Sequence, residues 1–434
     1  MRTPKSFLCP PHDRLNALHT ALGKRSLYES VSYCNRCGCC AQSCPAYRLN
    51  PQEIYSPRGR NQVLRLALER KIKLNAKDPV LRRLLETCTL CGRCTQVCPG
   101  LIPTAEHVLE MRRALHLRTL PGMLFSFLQL RETRPKLFEF LARTGLVFRQ
   151  TGLVKLLRFS GLTYLLGVTW LNHLDSILPS HTPNLRRYLR RKNVKLADGN
   201  PSLIYLPSLE AQFILPQLAY HTLHCARKKH SVTVWLNTPS GLFSYVYGDL
   251  RQSRRTLRRL ISRHAQISSG NLPLLTDSID VYHFLKRAPE LFDGNPHWEK
   301  QAEQLANCVR FVTDIFPPAS DFEDTIPAPV QLEYSALLDR QSPPIKQAET
   351  ILYTFFGKNF VECLYTDADV PAFGYAFTQK KHATQIIAEV VARIERTQPT
   401  TVFTLSGLSA LELSYWLRRF YPAAQVKHLV EIIR

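Results

Sequence analysis

The sequence predicts an α+β protein in which a helical N-terminal part is followed by two α/β repeats. Three observations lead to this fold class. Residues 64–74 and 80–85 space their apolar side chains by three and four, as one face of a helix does. From Pro201 onward, short β-rich segments alternate with helical patterns, which is typical of βαβ units. Residues 234–244 also resemble residues 364–374, which indicates a repeat offset by about 130 residues.

The cysteines follow one spacing, C-x2-C-x2-C-x3-C-P, twice within the first hundred residues. The first run ends at Cys44-Pro45 and the second at Cys98-Pro99. This is the spacing of loops that wrap a cubane [4Fe–4S] cluster, whereas a lone CxxC pair also fits a zinc knuckle or a redox dithiol. A zinc ribbon needs two CxxC pairs only. Two complete runs, each closed by Cys-Pro, therefore favour two iron–sulfur clusters.

The ligands of the two predicted clusters follow from the spacing. In two-cluster ferredoxins the fourth cysteine of a run ligates the other cluster. One cluster is therefore assigned to Cys34, Cys37, Cys40 and Cys98, and the second to Cys88, Cys91, Cys94 and Cys44. Cys39 is surplus to the pattern. We expect it to be a buried free thiol, and an exchange with Cys40 as ligand stays open.

The domain organisation is predicted from these patterns. Residues 1–117 should form an all-helical ferredoxin-like domain with two [4Fe–4S] clusters, including a short helix over 14–23 and a helix over 105–117 with Thr104 as its N-cap. Residues 118–200 should form a helical middle region. Two α/β repeats are expected over 201–315 and 351–434, joined by a proline-rich linker over 316–350. Strands are expected at 202–206, 232–236, 272–275, 351–355, 361–365 and 402–405.

Residues 147–170 of the middle region allow two interpretations. They could form a helical hairpin packed on its neighbours, or a basic amphipathic helix at a membrane surface. We favour packing, because the apolar positions nearly circle the helix instead of forming one stripe. No segment reaches the ~18 apolar residues of a membrane span, and no export signal is visible. We expect a cytoplasmic protein, and peripheral attachment at the inner face of the membrane stays open.

The chain is strongly basic, with a formal net charge of +23. Two bound clusters would lower this charge to about +19. Such a balance suits an acidic protein partner, an anionic membrane surface or nucleic acid. The densest basic runs are residues 186–192 and 251–263. They lack the interleaved aromatic side chains of a single-strand platform, so nucleic acid is not expected. We interpret the second run as a docking face on one helix, and a merely solvated face is the alternative.

A family resemblance rests on these residues. The paired runs, followed by the sequences Ser56-Pro57-Arg58-Gly59-Arg60 and Met111-Arg112-Arg113-Ala114-Leu115, resemble the iron–sulfur subunit of glycolate oxidase and its heterodisulfide reductase-like relatives. The resemblance is strong over residues 27–117 and weaker beyond them. It implies a protein that carries electrons between an FAD-containing dehydrogenase, acting on a 2-hydroxy acid or a similar substrate, and a quinone or other acceptor. The related iron–sulfur subunit of anaerobic glycerol-3-phosphate dehydrogenase illustrates an alternative complex.

The C-terminal repeats depart from the family pattern. Family members carry a Cys-Cys-Gly motif in each repeat, and with further cysteines these motifs hold an extra iron–sulfur centre. Here the positions read Pro239-Ser240-Gly241 and Asp369-Val370-Pro371, and the downstream turns carry Ser278 and Ser406. Serine and aspartate oxygens are poor ligands for such clusters. We therefore expect the repeats to keep their fold without a cluster.

The sequence shows no nucleophile–base pair, Rossmann fingerprint or P-loop that would indicate an active site of its own. Substrate oxidation is therefore expected on a partner flavoprotein. The rival interpretation is that the degenerate repeats serve as a docking scaffold in another redox complex.

Overall fold

The computed structural model describes residues 14–20, 23–117, 122–152, 160–165, 168, 170–179, 184–267, 270–316, 326–334, 342–361, 375 and 379–432. Within these residues, short helices surround the two cysteine runs, a group of helices follows, and two parallel β-sheets with flanking helices complete the chain. No described helix has the length and apolar character needed to cross a membrane.

The domain that carries the cysteines begins with a two-stranded antiparallel ribbon. Its strands are β1 (Leu18–Thr20) and β2 (Gly23–Arg25). The prediction of a helix over 14–23 is therefore wrong, and the domain is not all-helical at its N-terminal end. Tertiary contacts explain the difference, because Lys24 pairs with Asp293 and Glu299 and so holds the ribbon against a distant part of the chain.

Seven helices of this domain are described. They are α1 (Leu27–Ser32), α2 (Cys39–Gln42), α3 (Pro45–Leu49), α4 (Pro57–Leu68), α5 (Pro79–Glu86), α6 (Arg93–Gln96) and α7 (Thr104–Ala114). Helix α4 ends at Leu68 instead of Leu74, because Arg70 takes a left-handed φ of 60° and Lys71 N–H closes back on the Leu66 carbonyl (2.9 Å). Thr104 is the first residue of α7 and not its N-cap.

The described part of the middle region contains five helices, and residues 192–200 at its end are not helical. Its helices are α8 (Gly122–Thr133), α9 (Pro135–Gln150), α10 (Leu162–Leu165), α11 (Trp170–Ile177) and α12 (Leu185–Arg191). Helices α8 and α9 pack through Phe127 and Phe138, whose ring centroids lie 5.0 Å apart. Residues 153–159, 166–167 and 169 lie outside the described residues, so the packed hairpin over 147–170 stays a prediction.

The rest of the described chain contains two parallel four-stranded sheets. The first has the order β4-β3-β5-β6, from β3 (Leu203–Leu206), β4 (Val232–Val234), β5 (Leu274–Thr276) and β6 (Val309–Phe311). The second has the order β10-β9-β7-β8, from β7 (Val330–Leu332), β8 (Phe360–Val361), β9 (Thr401–Thr404) and β10 (Gln425–His428). The pairing is the same in both sheets when the strands are taken in chain order. Strand β3 pairs with β4 and β5, and β5 pairs with β6; likewise β7 pairs with β8 and β9, and β9 pairs with β10.

Nine further helices flank these sheets in the described residues. They are α13 (Leu209–Phe213), α14 (Pro216–Arg227), α15 (Leu242–Val246), α16 (Leu250–Ala265), α17 (Ile279–Lys286), α18 (Pro296–Cys308), α19 (Pro343–Phe356), α20 (Lys380–Thr397) and α21 (Gly407–Phe420).

Two sequence expectations for this region need correction. The strand expected at 351–355 is wrong, because these residues belong to α19, which buries Ile345, Ala348 and Leu352 at helical spacing. Strand β7 lies within the predicted linker and is a central strand of the second sheet. The prolines around this strand led to the prediction of a linker, whereas Val330 and Leu332 are buried in the structure. The strand expected at 361–365 is seen only as β8, and residues 362–365 lie outside the described residues.

Candidate metal centre

The two cysteine runs have the same local backbone conformation. In the first run Arg36 and Gly38 have φ values of 57° and 87°, and in the second Leu90 and Gly92 have 59° and 71°. Each glycine is the N-cap of a short helix, α2 or α6. A side chain at Gly38 would meet the guanidinium of Arg58 at 3.0 Å. The left-handed residues curl each loop tightly, as closure of three cysteines around one cluster requires.

The four cysteines assigned to the second cluster line one cavity. Cys88, Cys91 and Cys94 come from the second run, and Cys44 reaches the cavity from the first. Cys44 is the N-cap of α3, with Pro45 at the first helical position. The structure therefore brings the fourth cysteine of one run to the loop of the other, as the cross-ligation rule predicts.

Among the cysteines assigned to the first cluster, Cys40 lies close enough to Cys34 and Cys98 to be affected by their charges. Burial and the neighbouring charges of Cys34 and Cys98 raise the pKa of the Cys40 thiol to about 11. Cys37 is exposed, and its sulfur lies 3.5 Å from that of Cys39. Cys39 is exposed as well, so the expectation of a buried thiol is wrong.

Helix α3 starts directly after Cys44, at Pro45. Cys98 is followed by a turn, and α7 starts at Thr104.

The thiol environment fits a cluster with soft ligands. Burial, and next the charges of Cys91, Cys88 and Cys44, raise the pKa of Cys94 well above its ordinary value. Thiols with such pKa values keep their protons until a metal replaces them, and binding then releases the protons. Four converging sulfur donors are the ligand set that iron–sulfur clusters take.

Arg60 places a positive charge beside this cavity. Its guanidinium is buried and donates to the Leu84 carbonyl (2.9 Å), to Thr87 Oγ1 (3.1 Å) and to Cys44 Sγ (3.7 Å). Burial lowers the pKa of Arg60, but the negative charges of Cys88 and Cys44 outweigh burial and raise the pKa overall. A second buried arginine, Arg112, donates to the carbonyls of Leu85 (2.6 Å) and Cys88 (2.8 Å) and so fixes the start of the second loop.

Most residues of the Ser56–Arg60 sequence have a structural role of their own. Ser56 caps α4 by accepting from Gly59 N–H (2.8 Å), and Pro57 occupies the first helical position. Gly59 approaches the backbone of Glu53 so closely that a Cβ would collide with the Glu53 carbonyl oxygen. Arg58 pairs with Glu53, whereas Arg60 points to the cavity. The sequence analysis used Ser56–Arg60 as a family motif but did not predict these contacts.

A buried polar chain reaches the first set of cysteines. Asn61 donates from Nδ2 to Cys34 Sγ (3.8 Å), and its Oδ1 accepts from His107 Nδ1 (2.9 Å). His107 Nε2 lies 2.8 Å from the Ser30 hydroxyl. Burial lowers the pKa of His107 to about 3, so the imidazole is neutral. Sequence reasoning missed these three residues. Of the three, only His107 lies within a helix that the sequence predicted, over 105–117.

A buried carboxylate, that of Asp277, lies next to Ser278 at the end of strand β5. Asp277 is fully buried and accepts from the Tyr205 hydroxyl (2.6 Å) and from Ser208 N–H (2.8 Å). Burial raises the pKa of Asp277 to about 6. Ser278 and Ser406 begin helices α17 and α21. Residues 369–371 lie outside the described residues, so the absence of a third centre stays a prediction.

The arginines of α16 do not form one free face. Arg254 donates to the carbonyls of Leu291 (2.6 Å) and Arg14 (3.0 Å), and Arg258 lies over the Trp298 ring (5.3 Å). The exposed members are Arg251, Arg255, Arg259 and Arg263. The first three follow one another every four residues and form an exposed ridge, which we call the α16 ridge (Arg251, Arg255, Arg259). The predicted docking face is therefore narrower than the arginine count indicates.

The cysteine-bearing part of the chain is similar to known iron–sulfur proteins. Residues 30–102 match the 4Fe–4S dicluster domain. The chain is 34% identical over 84 residues to the probable glycolate oxidase iron-sulfur subunit of Bacillus subtilis (strain 168). It is 30% identical over 124 residues to the glycolate oxidase iron-sulfur subunit of Escherichia coli (strain K12). The predicted resemblance is confirmed for this part of the chain.

These alignments cover only part of each protein. They span 19% and 27% of this chain, and 18% and 28% of the two glycolate oxidase proteins. A third alignment has 31% identity over 88 residues and spans 20% of this chain. It covers 42% of a heterodisulfide reductase C-like protein of Archaeoglobus profundus (strain DSM 5631 / JCM 9629 / NBRC 100127 / Av18).

Proposed function

We propose that this chain is the iron–sulfur electron-transfer subunit of a flavin-linked dehydrogenase complex. Its partner would oxidise a 2-hydroxy acid such as glycolate, and a quinone or another acceptor would receive the electrons. The observation that carries the proposal is the cavity where Cys44 joins Cys88, Cys91 and Cys94 beside the buried Arg60.

The proposed ligands are those predicted from the spacing. Cys34, Cys37, Cys40 and Cys98 would hold one [4Fe–4S] cluster, and Cys44, Cys88, Cys91 and Cys94 would hold the other. When bound, a cluster of this type supplies a one-electron carrier, so two in series can divide the two-electron output of a flavin.

The protein's own residues would tune these carriers. Arg60 favours added negative charge at the second site, and the Asn61 amide supplies a donor to Cys34 sulfur. Both Arg60 and Asn61 are buried, and low exposure to water strengthens both interactions.

Metal content tests the proposal directly. Anaerobically purified protein should hold about eight iron atoms per chain, which corresponds to two cubanes. Cys94→Ser should lower the iron content by up to about four atoms, because it removes a ligand of one cubane. The matched control is Cys308→Ser, which changes a half-buried cysteine outside the runs and should leave the iron content unchanged. Zinc in place of iron, or about twelve iron atoms, would contradict the assignment.

Electron transfer provides the second test. The isolated protein should not oxidise glycolate, whereas chemically reduced clusters should pass electrons to a separate flavoprotein. Purification of the tagged protein from its host should recover that flavoprotein. A role in another redox complex is the second candidate, favoured by the similarity to the heterodisulfide reductase C-like protein. The identity of the flavoprotein recovered would separate the two candidates.

A further inference from the structure

Helix α9 presents an apolar stripe to the surface. Five large apolar side chains on this 16-residue helix are exposed, and the steps of three, four and seven residues between them place them on one face. These residues, which we call the α9 stripe, are Leu137, Phe140, Leu141, Val147 and Phe148. The exposed fraction reaches 65% for Phe140 and 52% for Phe148. Apolar residues at this spacing ordinarily face a core, so a stripe that faces outward indicates something that covers it.

The helix is held in place by its opposite face. Phe138 is buried between Phe127 (ring centroids 5.0 Å apart) and Phe213 (5.4 Å). Near the C-terminal end, Arg149 Nε donates to Asp175 Oδ1 (2.6 Å). The exposure of the stripe is therefore a property of a packed helix, because the buried contacts fix the helix rotation.

The charges around the stripe are positive. Arg134 precedes the helix, and both Arg134 and Lys136 are exposed. The helix sequence contains a single acid, Glu139, which pairs with Arg143 and accepts from the Asn237 side chain. The exposed face of α9 therefore combines aromatic and aliphatic side chains with unbalanced cations. The whole chain carries a net charge of +23, which attracts it to anionic surfaces.

We propose that the α9 stripe inserts into the surface of an anionic lipid bilayer, with Arg134 and Lys136 near the lipid phosphates. Large apolar side chains flanked by Lys and Arg, without exposed acid, are typical of helices that lie at the membrane interface. This surface would attach the chain to a membrane from one side, and electron transfer by the clusters does not depend on it.

Vesicle binding tests the proposal. The cluster-loaded full-length chain is sedimented with vesicles of phosphatidylcholine alone or mixed with phosphatidylglycerol. The wild type should bind the anionic vesicles. The variant Phe140→Glu/Phe148→Glu should bind them at least about tenfold more weakly, because it removes two inserted aromatic rings and adds negative charge. Lys136→Gln should weaken binding to anionic vesicles only, and added salt should do the same.

A matched control and a second readout guard against unfolding. Tyr353 is 61% exposed on α19, so Tyr353→Glu makes a similar change elsewhere and should leave vesicle binding unchanged. In Phe148→Trp, the added indole fluorescence should shift to the blue on vesicles and be quenched by lipids with brominated acyl chains. Iron content should stay at the wild-type value in every variant, so this proposal and the electron-transfer proposal can fail separately.

Two results would overturn the lipid assignment. One is equal vesicle binding by the wild type and the Phe140→Glu/Phe148→Glu variant, or no binding by either. The other is that the wild type does not bind vesicles but forms a dimer or binds the flavoprotein, and that the Phe140→Glu/Phe148→Glu variant no longer does so. The stripe would then be a protein interface.

Discussion

Neutralising Arg60 should lower the reduction potential of one cluster selectively. The proposed variant is Arg60→Gln, which removes the buried charge that contacts Cys44 Sγ at 3.7 Å. A reduced cluster carries one more negative charge than an oxidised cluster. The guanidinium therefore stabilises the reduced form more than the oxidised form, and its loss makes reduction harder.

The size of the effect follows from Coulomb's law. At the 3.7 Å contact distance and an effective dielectric constant of ~20, a full charge at the sulfur would interact with Arg60 by about 4.5 kcal/mol. The added electron is spread over the whole cluster, so roughly half of this energy, about 2 kcal/mol, should be lost. For a one-electron couple, where 59 mV is a tenfold change in the equilibrium constant, that corresponds to a potential about 90 mV more negative.

The assay is a redox titration followed by EPR, with the protein kept anaerobic. Arg60→Lys, which keeps the charge, should move the potential much less than Arg60→Gln. Arg82→Gln is the matched control, because Arg82 is half exposed on the neighbouring helix α5 and pairs there with Glu86. Its charge is screened by water, so both potentials should stay at their wild-type values.

The reasoning would be refuted by a change of less than about 20 mV in Arg60→Gln, since even a strongly screened contact charge exceeds that value. Equal displacement of both clusters would also contradict it, because the contact that motivates the prediction involves Cys44 and thus one site.

Three further predictions follow from the geometry. Cys98→Ser should perturb the EPR signal of the cluster assigned to the first run and spare the other; the reverse pattern would mean that each run closes on itself. Charge reversal of the α16 ridge (Arg251, Arg255, Arg259) should slow association with the flavoprotein about tenfold at low salt, and an unchanged rate would place docking elsewhere. Between pH 4 and 6 the wild type should lose up to about 3 kcal/mol of stability relative to Asp277→Asn, because the native pKa of about 6 exceeds the unfolded value. Anaerobic unfolding measures this difference, and parallel pH profiles of the two proteins would contradict the raised pKa.

The pH prediction has a definite sign. An aspartate whose folded pKa is raised favours the native state most below its unfolded pKa, where both states bind the proton. That advantage is lost between the unfolded and the folded pKa, because the unfolded chain releases the proton there while the native state still holds it; above the folded pKa the loss is complete. Above about pH 7 the stability difference between Asp277→Asn and the wild type should stay constant.

The cysteine loops could be predicted from sequence because their geometry is local. Ligand spacing within a run spans a few residues, and the left-handed positions at Gly38 and Gly92 lie inside it. Helix α5 and strand β3 were predicted for the same reason, since the helical spacing of the one and the β-rich apolar run of the other are visible over a single segment.

Contacts between segments distant in sequence could not be predicted in this way. Arg60 and Thr87, which meet at 3.1 Å, lie on different segments, and neither has a pattern that indicates the other. The ribbon over 18–25 depends on Lys24 reaching Asp293, and β7 depends on two neighbouring strands. Local propensity is outweighed in these places by partners that periodicity does not reveal.

The second α/β unit contacts the cavity that Cys44, Cys88, Cys91 and Cys94 line. The Tyr375 hydroxyl donates to the carbonyl of Thr87 (3.1 Å), a residue that lines the cavity and bonds to Arg60. Helix α20 is tied to the same domain by the ion pair of Arg48 with Glu389. Tyr375 is buried at this contact, and a low local dielectric strengthens the interaction of Arg60 with a bound cluster. Loosening this unit, for example by Glu389→Ala, should therefore reduce the difference in potential between the wild type and Arg60→Gln, although no ligand is changed.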